Sequence, residues 1–198
     1  TVHGAQSTDP AKWQDPLTYF QTAGPIGQLF DALAAARNIE TVGVLGLGAG
    51  TIVCYRRPGQ SWTYFEIDPV VERLARDTRY FRYLAACGGD TKVVLGDGRL
   101  SLEKITDGHF DLLIMDAFSS DSVPIHLITR EALALYMRTL KANGVLVFNI
   151  SNRNMDFSRV LGNLARDAGL VGRFQHYVSG NLDYRKTYKV DSIWVVIA

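Results

Sequence analysis

Apolar runs bounded by turn residues or an acid recur along this chain, alternating with longer amphipathic stretches. The apolar runs at 42–46, 62–67, 92–95, 110–115, 144–150, 171–178 and 190–197 predict strands. Helical patterns fall between them, near 50–56, 69–78, 99–105, 129–141 and 156–168. Pro25 opens an earlier helix to about Arg37, with Ile26, Leu29, Phe30 and Leu33 on one face. The runs at 42–46, 110–115 and 144–150 are almost continuously apolar, as in parallel strands covered on both faces. Thr129 is placed to cap a helix ending before Asn143-Gly144, and Asp156 to cap one ending at Gly169. Between the last two runs lies only the polar stretch 179–189, too short for a helical crossover, so they should pair antiparallel. The expected fold class is α/β, with a seven-stranded, mostly parallel sheet and a C-terminal antiparallel hairpin.

Residues 1–24 are polar, with Asp-Pro at 9–10 and again at 15–16, and read as an extended or looped lead-in. The chain is expected to divide into residues 1–36, the lead-in and first helix, and residues 37–198, which carry the whole strand–helix alternation. A start at Thr1 in mid-pattern suggests a piece of something longer.

Composition narrows the partners. A net charge of +1 over 198 residues supplies no general field for nucleic acid or an anionic membrane. Arg73, Arg76, Arg79 and Arg82 recur every three residues, and a solvated helix face explains them better than a basic binding stripe. The uncharged stretch 41–55 is too short and too glycine-rich to span a bilayer, and no signal peptide is legible. Cys54 and Cys87 are isolated, which argues against a disulfide or a zinc site and for a reducing, cytoplasmic setting.

In an open parallel sheet ligands sit beyond the carboxyl ends of the strands. Gly46, Gly48 and Gly50 follow the first strand in a Gly-x-Gly-x-Gly loop, and Glu66-Ile67-Asp68 ends the second, twenty residues after Gly46. An acid there suits a ribose diol. The loop carries no Arg or Lys for a pyrophosphate, which favours S-adenosylmethionine or a relative over a dinucleotide. Asp97-Gly98 follows the third strand, where an adenine amino group would lie. Asp116, with Ser119, Ser120 and Asp121 behind it, ends the fourth, beside the expected sulfur, and Asn149 and Ser151 end the fifth. Each has a plainer reading as a turn glycine or a cap. The histidines at 3, 109, 126 and 176 match no ligand spacing, and no metal is expected.

Together these motifs resemble the spermidine synthase (aminopropyltransferase) family within the class I S-adenosylmethionine-dependent transferases. The matching segments are Val2-His3-Gly4-Ala5-Gln6, Leu17-Thr18-Tyr19-Phe20, the Gly46 loop, Glu66-Ile67-Asp68, Gly96-Asp97-Gly98, and Asp116 to Pro124. The resemblance covers roughly residues 2–150 and is nearest to divergent spermidine synthase-like domains fused to membrane transporter-like segments. It implies a Rossmann-like sheet of the class I methyltransferase fold, preceded by a small β-domain of which residues 1–36 would be the remnant. It implies that Gln6, Gly46, Gly48, Gly50, Glu66, Ile67, Asp97, Gly98 and Pro124 hold the nucleoside. Asp116 would accept the proton, and Tyr19, Phe20 and Asp121 would bind an amine. The co-substrate implied is decarboxylated S-adenosylmethionine, or S-adenosylmethionine itself, with a small-molecule amine as acceptor and a homodimer as the assembly. Two departures stand out: Ala49 replaces an aspartate in the family's glycine loop, and Asp116 and Asp121 lie five positions apart where three is usual. An S-adenosylmethionine-dependent methyltransferase and a non-catalytic S-adenosylmethionine or polyamine sensor are the alternatives.

Overall fold

The computed structural model describes residues 4–117, 124–151, 155–180 and 188–198. Seven strands form one sheet: β1 (Thr41–Leu45), β2 (Ser61–Glu66), β3 (Lys92–Leu95), β4 (Phe110–Met115), β5 (Leu140–Asn149), β6 (Gly172–Tyr177) and β7 (Ser192–Ile197). Their order is β3-β2-β1-β4-β5-β7-β6. The first five run parallel, and β7 is antiparallel to both β5 and β6. All seven strands expected from the sequence are present.

Alternating side chains of the buried strands feed two cores. Val42, Val44, Tyr64, Ile114 and Val147 face one side, where α1 (Pro25–Ala36), α2 (Pro69–Arg76) and α3 (Tyr83–Cys87) add Ile26, Leu33, Ala75 and Tyr83. Leu45, Phe65, Leu113, Met115 and Phe148 face the other, under α4 (Gly98–Glu103), α5 (Arg130–Thr139) and α6 (Ser158–Asp167). This doubly covered sheet explains why the central strands read as unbroken apolar runs. Local chemistry sets the helix starts: Asp68 accepts from Val70 N at 2.7 Å, Asp97 from Leu100 N at 3.0 Å, and Thr129 from Ala132 N at 3.2 Å.

Four details differ from the sequence expectation. Cys54 and Cys87 are joined in a disulfide, with Cα atoms 5.0 Å apart; isolation in sequence said nothing of their distance in space. Residues 51–55 form a 3-10 turn rather than an α-helix, since the β-branched run Thr51-Ile52-Val53 gains little from a regular helix. The helix capped by Thr129 stops at Thr139; Leu140 already pairs with Phe110, and Asn143-Gly144 falls within a register shift of β5. Asp156 does not take the N-cap itself, which is Phe157, and instead accepts from Ser158 N at 2.9 Å.

The arginine series is dispersed. Arg76 pairs with Glu72, Arg79 with Asp77, and the Arg82 guanidinium lies 4.2 Å over the Trp13 ring. No helix among the described residues is long and apolar enough to cross a membrane.

Candidate active site

Strand order reverses between β1 and β4, so their carboxyl ends border the crevice where open α/β sheets bind ligands. Gly46 leaves β1 at φ +92°, and a side chain there would collide with the Asp116 carbonyl. Only glycine allows the two strand ends to close this tightly. Gly48 has φ +52° and open space where a side chain would be, which leaves the backbone of the loop bare. Gly50 at φ +78° completes the turn against Leu84.

Glu66, at the end of β2, is only 6% exposed. One of its oxygens accepts from Leu47 N at 2.9 Å and the other from Asp68 N at 2.8 Å. The carboxylate thus pins the glycine loop to the next strand, and each oxygen keeps a further lone pair for a hydroxyl. Ile67 is 69% exposed beside it, and Leu100, near the start of α4, 55%. An exposed apolar side chain next in sequence to a buried acid suits a planar base next to a ribose. Gly98 packs closely on Leu45 and Phe65, leaving Asp97 as the cap of α4. Replacing Glu66 by Ala should weaken methylthioadenosine binding by about 1.5–3 kcal/mol, the range for hydrogen bonds to a charged group. Calorimetry reads this directly, and an unchanged affinity removes Glu66 from the site.

Asp116 continues β4 by one residue, held there by its N–H on the Leu45 carbonyl at 2.8 Å. Burial pushes its carboxyl up to about 7, against the opposing pull of the Asn149 amide, which donates to Oδ1 at 2.7 Å. Tyr19 and Tyr64 lie close enough to feel the Asp116 charge, and burial first, then that charge, raises both phenols well above their ordinary value. A carboxyl poised near neutrality at a crevice is equipped to take up and release a proton.

The same shift bears on stability. A carboxyl whose folded pKa lies near 7 rather than 3.8 stabilises the fold below the lower value and loses that contribution as pH climbs to the higher one. Asp116→Asn should therefore gain thermal stability over the wild type as pH rises from 4 to 8. Melting curves at both ends check the sign.

The lead-in is fastened to α3 and its approach. Gln6 spends both ends of its amide on the protein, accepting from Arg82 N at 2.7 Å and donating to Trp13 O at 2.8 Å. The Tyr83 hydroxyl donates to Ala5 O at 2.8 Å. Gly4 rests on Ala49, which is buried in the core. Tyr19 and Phe20 are also buried, Phe20 with its ring centroid 6.2 Å from that of Trp194. The structure therefore brings Gly46, Gly48, Glu66, Asp116 and Tyr19 to one end of the sheet. Pro124 precedes a short 3-10 turn (Ile125–Leu127), while Asp121, Ser119 and Ser120 lie outside the described residues. Asn149 at Asp116 was visible in sequence only as a polar residue ending a strand.

The sheet order and the antiparallel last strand are those of the class I S-adenosylmethionine-dependent transferases. Solved structures of that class superpose on the chain. Spermidine synthase in complex with the transition-state analogue AdoDATO matches with a TM-score of 0.61 and 20% identity, over 80% of this chain and 54% of that one. The O-methyltransferase TomG from Streptomyces achromogenes, in complex with SAM, matches with a TM-score of 0.59 and 15% identity, over 89% and 80%. In sequence the chain is similar to the polyamine aminopropyltransferase of Vibrio vulnificus, with 33% identity over 115 residues. That match takes in 56% of this chain and 37% of the relative, so the chain spans well under half of the curated protein it resembles. No family model matches. The resemblance to spermidine synthases read from the motifs thus has a counterpart in both sequence and fold.

Proposed function

We propose that the chain transfers an aminopropyl group from decarboxylated S-adenosylmethionine to an amine. The observation that carries this reading is Asp116, a carboxyl pushed up to about 7 at the switch point of the sheet. An alkylamine has a pKa near 10.4, so at neutral pH it arrives as an unreactive ammonium. Ionised Asp116 binds that ammonium and takes one proton. The freed nitrogen lone pair attacks the methylene carbon bonded to the sulfonium sulfur. The C–S bond breaks, its electron pair stays on sulfur, and neutral methylthioadenosine leaves. Glu66 and the bare Gly48 backbone hold the nucleoside so that the attack is in line, and Tyr19 lines the approach.

Ala49 supports a second reading. A small, buried, uncharged residue in the glycine loop leaves no negative charge to repel the carboxylate of intact S-adenosylmethionine, which favours a methyltransferase. Incubation with either nucleoside and a panel of amines, read by mass spectrometry, decides. An aminopropylated amine with methylthioadenosine supports the proposal. A methylated product supports the second reading. Nucleoside binding without any product makes the domain a sensor.

A further inference from the structure

We propose that Asn149 is a positioning residue, locked by Ser151 so that it can only donate to Asp116 and thereby holds that carboxylate ionised and aimed into the crevice. The inference rests on Asp116 as proton acceptor. Asn149 is 2% exposed, and its amide orientation follows from its partners. The Asn149 Oδ1 atom accepts from Ser151 N at 3.0 Å, and a backbone N–H can only donate. The NH2 end must then face Asp116, which it meets at 2.7 Å.

The hydroxyl of Ser151 is fixed in the same way. Its oxygen accepts from Ile193 N at 2.9 Å, and its own hydrogen goes to Asn149 Oδ1 at 2.6 Å in preference to the Ile193 carbonyl at 3.4 Å. The direction of every bond from β7 to Asp116 is therefore set by a backbone N–H. A donor that cannot turn round favours the charged form of its partner over the protonated one. Among the described residues, the other titratable groups beside Asp116 are Tyr19 and Tyr64, whose raised phenols stay neutral through the working range. Neither competes with Asn149 for control of the charge.

The test compares Asn149→Leu and Ser151→Ala with the wild type. Infrared difference titration of the Asp116 carboxyl band, with Asp116→Asn as the blank, reads the protonation state without any need for turnover. In Asn149→Leu the midpoint should rise by about 1 to 2 pH units. The acid limb of kcat/KM should move with it, so that transfer falls about 10-fold at pH 7 and recovers by pH 9. Ser151→Ala, which keeps the backbone donor, should shift both in the same direction by less. An unmoved midpoint in a variant that still binds methylthioadenosine overturns the inference, and so does an equal loss of rate at every pH. If Asn149→Leu does not fold, Ser151→Ala carries the test alone, and no shift there overturns it. Failure to turn over any amine would sink the proposed transfer while leaving the infrared titration to decide on Asn149.

Discussion

Asp116→Asn is expected to lower turnover by about 10²- to 10⁴-fold, the usual worth of a positioned base, while methylthioadenosine still binds. The substitution keeps the size of the side chain and an oxygen to accept the Asn149 amide, which lies 2.7 Å from the Asp116 carboxylate. What disappears is the negative charge that gathers the ammonium and the basicity that takes its proton. The proposed nucleoside contacts, Glu66, Gly48 and Ile67, lie at the ends of β1 and β2, outside β4 and the changed side chain. The loss should therefore fall on kcat far more than on nucleoside affinity. Full turnover in this variant would make Asp116 a loop residue and leave the chemistry without its base.

Reduction of the Cys54–Cys87 bond should cost about 3–4 kcal/mol of stability, from the chain-entropy model of a cross-link spanning 33 residues. The enclosed stretch runs through β2 and α2 and so contains Glu66 and Asp68. On one side the bond grips the 3-10 turn (Thr51–Tyr55) that follows the glycine loop. On the other it holds α3, to which Tyr83 and Arg82 fasten the lead-in. Urea denaturation with and without a thiol reductant measures the difference. The double variant Cys54→Ala/Cys87→Ala should start lower and respond to neither condition. Equal midpoints for reduced and oxidised wild type would show that the cross-link contributes nothing.

Much of this was legible in the residues, for identifiable reasons. The strands could be read because β1, β4 and β5 are covered on both faces, and burial of that kind leaves unbroken apolar runs. Gly46 and Glu66 stood out because a tight turn and a buried acid each restrict residue choice. α3 did not, since five residues between turns show no period. Nor did the disulfide, because Cys54 and Cys87 meet only through the packing of α3 on the turn after the glycine loop. Asn149 was one polar residue at a strand end until the β4–β5 pairing set it beside Asp116. Gln6 shows what a motif leaves out: nothing in the sequence announced that both ends of its amide tie the lead-in to Trp13 and Arg82.

The most direct test of the central claim is the pH dependence of single-turnover transfer from decarboxylated S-adenosylmethionine to its best amine acceptor. If Asp116 takes the proton from a bound ammonium, kcat/KM should rise through a pKa of about 7 and then stay level up to the amine's own value near 10.4. Asp116→Asn should replace that plateau with a steady climb, because only free amine could then attack. A wild-type profile that itself climbs without a plateau would contradict the account.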